Sequence, residues 1–501
     1  MNTIPALIER AAERFADREA VVVGDLRLTF ADLHAEVERA ARAFTASGVA
    51  HGDRAAVWAP NSREWVVAAL GLVTAGAVLV PVNTRFKGAE AAYLLEKTRA
   101  TFLVTVHDFL GVDYAEQLKA AGTPLPHLKE TVQLDGAMWR EFLDRADDAI
   151  DLPAVRPDDL SDIIFTSGTT GKPKGVMVNH EQTLRVYETW SSVVGLAEGD
   201  RYLVVNPFFH TFGYKAGIIA CLLRGAAIVP EPVFDVDAVL RRIESEQITV
   251  LPGPPTLYQS ILDHPDRDKR DLSSLRLAVT GAAVVPVVLV ERMRDELAFE
   301  TVLTAYGLTE ATGTVSMCTR DDDAETIATT SGRAIPNSEV RIDAAPGEPG
   351  EVLVRGYNVM LGYFEEPEET AKTVDADGWL HTGDVGVMDG RGNVKITDRI
   401  KDMFVVGGFN AYPAEIEQVL ARHPAVSDVA VVGVPDERLG EVGRAFVVPK
   451  PGAVVDADEV IAWCREQMAN YKVPRSVVVV ESLPRNASGK VLKFELRQDA
   501  K

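Results

Sequence analysis

The run Thr166-Ser167-Gly168-Thr169-Thr170-Gly171-Lys172-Pro173-Lys174-Gly175 gathers hydroxyls, glycines and lysines in one short stretch. Glycines let several backbone N–H groups converge on one anion, hydroxyls add donors, and lysine brings a charge that can follow moving oxygens. The chemistry this predicts is the holding of a nucleoside triphosphate. The run is not a Walker A loop. Thr166 stands where the first glycine of G-x-x-x-x-G-K-[ST] belongs, and Pro173 where the Mg²⁺-binding hydroxyl belongs. Ile163-Ile164-Phe165 before it and Val176-Met177-Val178 after it predict a loop between two strands, whereas a P-loop opens straight into a helix.

Further clusters make sense around the same nucleotide. Tyr306-Gly307-Leu308-Thr309-Glu310 follows the strand-like Thr301-Val302-Leu303-Thr304 and offers an aromatic face for a base, a hydroxyl for a phosphate and a carboxylate for Mg²⁺. Trp379-Leu380-His381-Thr382-Gly383-Asp384 ends in a carboxylate suited to both ribose hydroxyls, with Arg399 as a second contact to the sugar. Pro484-Arg485-Asn486-Ala487-Ser488-Gly489-Lys490 puts a lysine at a glycine turn near the end of the chain.

These residues need a scaffold of more than one domain, because 501 residues exceed what a single simple core serves. Hydrophobic residues make up 47% of the chain, enough to fill several cores. Strand-like runs such as Tyr202-Leu203-Val204-Val205, Ala226-Ala227-Ile228-Val229 and Leu275-Arg276-Leu277-Ala278-Val279 alternate with helical patterns up to about Pro336, an α/β signature. The pattern then changes to short strands punctuated by Pro346-Gly347, Pro349-Gly350 and Asp389-Gly390-Arg391-Gly392-Asn393, predicting a small β-rich module over 337–398. Beyond Asp402 the reading is α+β: helices over 414–421 and 456–468, strands over 428–434, 445–448 and 477–480. The predicted architecture is therefore a large N-terminal domain, 1–400, of two α/β subdomains and a small β-barrel-like module. A small mobile α+β domain, 401–501, follows it. Asp398-Arg399-Ile400-Lys401-Asp402 joins the two with charge in place of apolar packing, as a hinge would.

The net charge of -22 argues against nucleic acid or an anionic membrane as a partner, so any phosphate ligand must be held by local cations. Cys221, Cys318 and Cys464 are scattered without a C-x-x-C, which fits a reducing cytoplasm and no zinc site. The N-terminus reads as an amphipathic helix, with Ile4, Leu7, Ile8, Ala11 and Phe15 on one face, not as a signal peptide. Residues 66–82 lack charge but are short for a bilayer and carry Gly71, Thr74, Gly76 and Pro81, so they predict a buried helix running into a strand and no membrane span.

Taken in order and spacing, these motifs resemble the adenylate-forming superfamily of acyl-CoA synthetases, nonribosomal-peptide adenylation domains and beetle luciferases. The similarity covers nearly the whole chain. It implies that Thr166, Ser167, Gly168, Thr169, Thr170 and Lys174 hold the β- and γ-phosphates of ATP. Gly281, Ala282 and Ala283, with Tyr306 and Gly307, would surround the adenine, the two alanines replacing residues often glycine and alanine in the family. Thr309 would contact the α-phosphate, Glu310 with Thr166 the Mg²⁺, Asp384 and Arg399 the ribose. Lys490 would bridge the substrate carboxylate and the α-phosphate. The resemblance further implies that the small domain swings about Lys401, and that Gly407, Gly408 and Phe409 line the channel for the pantetheine arm of CoA. The expected reaction is activation of a carboxylic acid as acyl-AMP, then transfer to CoA.

The acid is expected at Asn206-Pro207-Phe208-Phe209-His210-Thr211-Phe212-Gly213-Tyr214-Lys215-Ala216-Gly217, whose aromatic wall suits an apolar substrate. Phe209, His210, Tyr214 and Lys215 are its candidate lining, with His210 at the carboxylate end; Lys215 is either a donor to the acid or an exposed neighbour of the pocket. Between Pro207 and Arg224 there is no acidic side chain to hold an α-ammonium group, which disfavours amino acids. This segment, with 250–260 and 278–283, is similar to the CoA ligases of actinobacterial sterol catabolism, which implies a propanoate carried on a two-ring, methyl-bearing diketone. Medium-chain fatty acids and aryl acids are the alternatives, and a non-catalytic nucleotide sensor is the alternative of a different class. No carrier domain follows Lys501, so free CoA is the expected thiol, and either a monomer or a homodimer is expected. Neither a G-x-S-x-G elbow nor a G-x-G-x-x-G fingerprint is present.

Overall fold

The computed structural model describes all residues except 1, 167–171, 282–286, 349, 400–403, 412, 451, 485–490, 492 and 499–501. The phosphate-loop motif is carried on the largest sheet. Its seven strands run in the order Gly362–Tyr363, Lys174–Asn179, Leu160–Thr166, Val78–Pro81, Arg54–Trp58, Phe102–Thr105, Glu130–Gln133. The central strands are short unbroken apolar runs because helices cover both faces, and they pair in parallel. Residues Trp65 to Val73 of the helix Arg63–Thr74 are buried, and that helix leads into Val78–Pro81, which accounts for the uncharged stretch over 66–82. Among the described residues no helix is long and apolar enough to cross a membrane.

Leu160–Thr166 and Lys174–Asn179 pair antiparallel, and the register closes on Thr166 opposite Lys174. The two strands are thus paired neighbours on either side of the motif, as the flanking apolar runs predict.

A second layer is built from two four-stranded sheets bridged by Val250, which pairs with both Tyr202 and Leu277. One contains Glu19–Val23, Ala227–Pro230 and Arg201–Val204; the other contains Leu277–Gly281 and Thr301–Tyr306 in parallel, followed by Ser316–Met317 and Arg333–Ala334. A third sheet, Ser338–Asp343, Gly350–Gly356, Leu380–Met388 and Val394–Arg399, is antiparallel throughout. The last sheet comprises Phe404–Val406, Phe409–Ala411, Val426–Asp436, Gly440–Pro449 and Ser476–Val479. The helix Ala457–Gln467 covers it with the buried face Val460, Ile461 and Cys464 that its 3.6-residue periodicity predicts. The molecule is α/β with an α+β end. Cys221, Cys318 and Cys464 are all buried and free.

Candidate active site

Strand ends bring the separated motifs together. Gly281 lies opposite Ala305 at the ends of two parallel strands, so Tyr306 emerges beside Gly281. Asp384 and Arg399 lie opposite each other on adjacent antiparallel strands. The Tyr306 hydroxyl donates to Asp384 Oδ2 at 2.6 Å, which ties the two sheet ends into one seam. Asp384 is 3% exposed, and the Thr382 hydroxyl, itself donating to the Val352 carbonyl, accepts from its backbone N–H. The turn after Tyr306 leaves no room for a side chain at Gly307, where a Cβ would stand 2.0 Å from the Gly313 carbonyl oxygen.

A second junction sits at the base of the phosphate hairpin. The Thr166 hydroxyl donates to Glu310 Oε1 at 3.2 Å, and the Tyr363 hydroxyl donates to the same oxygen at 2.9 Å. A hydroxyl and a carboxylate side by side at a phosphate loop are the oxygen donors Mg²⁺ uses when it is held by a carboxylate and a substrate's phosphates. The residues present therefore fit that ion. Thr309 is buried beside Glu310 in a short 3₁₀ turn.

The two lysines of the motif part company. Lys174 is buried and donates to Glu369 Oε2 at 2.5 Å, while lying 4.9 Å above the Tyr363 ring. Hydrogen bonds from Lys174 and Lys372 hold the Glu369 carboxyl down to about 2. Lys172 is exposed, 5.7 Å from the Tyr93 ring centre.

The acid-pocket segment is anchored by a residue with no motif to announce it. Asn61 donates to the Val204 and Asn206 carbonyls and accepts from the Phe208 N–H, at 3.1, 2.9 and 2.7 Å. Asn206 in turn donates to the Pro252 carbonyl at 3.0 Å. His210 keeps exposed surface, and desolvation by the surrounding protein lowers its pKa to about 4. Its Nδ1 accepts from the Phe212 N–H at 3.2 Å, which leaves Nε2–H as the donor of the neutral ring. Phe209 is 9% exposed.

Lys215 corrects the sequence reading, which offered an exposed lysine or a donor to the acid. It is 0% exposed, on a π-helical turn over Tyr214–Ile219, and its ammonium stands 2.9 Å from Asp162 of the strand leading to the phosphate hairpin. Helical packing turns residue 215 towards the central sheet, where only a carboxylate makes a buried ammonium tolerable. Tyr214 is also fully buried, so neither side chain lines an open surface.

The C-terminal part of the chain brings Gly407 and Gly408 towards Pro254. They form the two-residue turn between Phe404–Val406 and Phe409–Ala411, with φ of +55° and +84°, the left-handed pair that such a hairpin requires. A Cβ at Gly408 would lie 3.5 Å from Pro254. Phe409 stacks on Tyr471 at 4.9 Å and receives the Arg85 guanidinium at 4.1 Å from its ring centre. Ser167, Gly168, Thr169, Thr170, Ala282, Ala283, Lys401 and Lys490 lie outside the described residues. Among the described residues, no group of three or more histidine, cysteine or acidic side chains forms a metal cluster.

Sequence reasoning missed Tyr363, Glu369, Asn61, Arg85 and Tyr471. Tyr363 alone carried a local signal, standing in a short apolar run soon after the β-rich module's glycine turns; the others meet their partners only through tertiary contacts.

The chain is similar to known proteins along its whole length. Residues 8–364 match the AMP-binding enzyme family and 415–490 the AMP-binding enzyme C-terminal domain. A 3-[(3aS,4S,7aS)-7a-methyl-1,5-dioxo-octahydro-1H-inden-4-yl]propanoyl:CoA ligase of Rhodococcus jostii is 55% identical, over 100% of this chain and 99% of that protein. The ligase of the same name from Mycobacterium tuberculosis is 53% identical, over 99% of each. Among solved structures, a double mutant of o-succinylbenzoate CoA synthetase from Bacillus subtilis bound with its product analogue superposes with a TM-score of 0.88, at 31% identity over 98% of each chain. The same synthetase in complex with its acyl-adenylate intermediate gives 0.71, at 31% identity over 98% of this chain and 97% of that one.

Proposed function

The chain belongs to the AMP-binding enzyme family and is an AMP-forming acyl-CoA synthetase, and from that premise we propose that its acid is the methyl-dioxo-octahydroindenyl propanoate. The observation that carries the substrate is the full-length identity of 55% to a ligase named for that acid. An aromatic approach at Phe209 and His210, with no carboxylate nearby in sequence, suits a neutral fused-ring body.

A carboxylate resists attack by a thiol because the attack would load further negative charge onto an anionic group. Joining one carboxylate oxygen to the α-phosphorus, as acyl-AMP, removes that obstacle. The acid oxygen attacks the α-phosphorus of ATP and pyrophosphate leaves; the thiol then attacks the acyl carbon and AMP leaves with its electron pair. Glu310 and Thr166 would hold a Mg²⁺, which supplies charge neutralisation on the phosphate oxygens when bound. The chain's own residues do the rest. Tyr306, Asp384 and Arg399 orient the nucleoside, Thr309 meets the α-phosphate, and the hairpin from Thr166 to Lys174 receives the pyrophosphate end. Lys490 neutralises charge on the reacting oxygens during the first step. Neutral His210 offers Nε2–H to the acid's carboxylate end without adding a charge that would quench the nucleophile.

The stronger likeness to the product-analogue complex than to the acyl-adenylate complex of one synthetase supports reading this arrangement as the thiol-transfer pose. The approach of Gly408 to Pro254 supports it too, since a turn without side chains leaves a channel for the pantetheine arm. The small domain then swings about Lys401 to present Lys490 for adenylation. The enzyme works in the cytoplasm on free CoA. The test is AMP release from a panel of acids, with and without CoA. The bicyclic propanoate should give the highest kcat/KM, and a medium-chain or aryl acid outrunning it would replace the substrate.

A further inference from the structure

The small domain grips the large one through side chains that the nucleotide seam does not use. Lys472 is 1% exposed, with its ammonium 2.8 Å from Glu90 Oε1 and 2.5 Å from Glu415 Oε1. It also lies 4.5 Å from the Phe86 ring centre. Glu415 belongs to the same domain as Lys472, whereas Glu90 lies in the large one, 382 residues away in sequence. Beside this pair stand the Arg85–Phe409 contact and the Asn83 amide, which donates to the Tyr471 hydroxyl at 3.5 Å.

Glu90 is the third residue of the helix Gly88–Thr98, and its second oxygen accepts from the Lys87 N–H at 2.9 Å. That helix-capping bond fixes the carboxylate and aims Oε1 across the boundary. A buried ammonium is tolerable only among opposite charges and hydrogen-bond acceptors. Lys472 keeps Glu415 wherever the small domain moves. It has Glu90 only in an arrangement such as this one.

We propose that Glu90 is a positioning residue for the thiol-transfer step: its carboxylate completes the charge around Lys472 in this domain arrangement and so favours that arrangement over the adenylating one. The proposal rests on the two-step, two-pose reading above. It assigns the two partners of one lysine different duties. Glu415 stabilises the small domain at all times, and Glu90 acts as a latch that closes and opens once in each turnover.

Glu90→Gln is the informative variant, because glutamine at the third helical position still accepts the Lys87 N–H while losing the charge. Pyrophosphate release in the absence of CoA should continue at the wild-type rate. Consumption of enzyme-bound acyl-AMP on mixing with CoA should slow about tenfold or more, where tenfold corresponds to ~1.4 kcal/mol. In the Lys472→Met background, adding Glu90→Gln should cost nothing further, since the two act as one unit. If Lys472→Met does not fold, the split between half-reactions in Glu90→Gln decides alone. Equal slowing of both steps, no slowing of either, or slowing of pyrophosphate release alone overturns the latch. Failure of the wild-type protein to form acyl-AMP would instead overturn the two-step reading, and it is seen before any variant is made.

Discussion

The nucleotide seam and the junction between the domains hold their residues in opposite ways. In the seam, positions are fixed by backbone: Gly281 opposite Ala305, Asp384 opposite Arg399, and a turn too tight for a Cβ at Gly307. At the junction the polar contacts described are between side chains: an ammonium between two carboxylates, a guanidinium over a ring, an amide on a phenol. A ladder has one register, and shifting it sends every side chain to the wrong face. Side-chain contacts can be broken and remade without unfolding anything. The seam is built to be right once; the junction, on the proposed swing, is made and unmade.

That contrast can be broken most severely at Lys490. Lys490→Ala should lower acid-dependent pyrophosphate release on the order of 10²–10³-fold, the scale for removing a preorganised charge partner from a transition state. CoA transfer from supplied acyl-adenylate should stay within about a few-fold of wild type, since the proposed role of Lys490 lies in the first step alone. Normal pyrophosphate release would remove Lys490 from the first step.

A glycine pair sharpens the comparison at smaller scale. Gly307→Ala drives a Cβ into a carbonyl that the turn cannot move and should cost on the order of 3 kcal/mol of stability, read as a fall in Tm. Gly408→Ala meets Pro254 only at ordinary contact distance; its left-handed φ should cost about 1 kcal/mol, with the loss of rate confined to the CoA step. Equal destabilisation by the two would erase the distinction between fixed seam and movable junction.

The smallest effect at neutral pH lies just past the phosphate hairpin. His180 is buried just past the second strand of the phosphate hairpin, and its Nδ1 accepts from the Ile4 N–H at 3.2 Å. Burial, set against the nearby Asp159 carboxylate, lowers its pKa from 6.5 to about 4. Between those values the unfolded chain binds a proton that the folded chain refuses. Stability contributed above pH 6.5 is therefore lost as pH falls towards 4, with a slope of up to about 1.4 kcal/mol per pH unit. His180→Gln should remove this part of the slope while costing about 1 kcal/mol at pH 7 for the altered hydrogen bond. Denaturant titrations at pH 5 and pH 7 read both.

Local pattern and tertiary placement divide what the sequence reveals. The phosphate hairpin was legible because apolar runs flank a glycine-rich turn within twenty residues or so, a local arrangement that periodicity can capture. The helix 456–468 was legible for the same reason. Lys215 was misread because a buried ammonium in an apolar segment looks like an edge-of-pocket residue until its partner is known, and Asp162 sits on a distant strand. Asn61 and Glu90 carried no local mark at all. Their functions come from carbonyls and an ammonium that meet them only after the chain has folded.

The claim on which the rest depends is that the acid becomes an adenylate before any thiol is present. A single-turnover quench with enzyme in excess, the bicyclic propanoate, ATP and Mg²⁺, and no CoA tests it directly. Acyl-AMP and pyrophosphate are expected in equal amounts, with AMP appearing only when CoA is added. ADP and phosphate as products, or pyrophosphate that forms only once CoA is present, would contradict it.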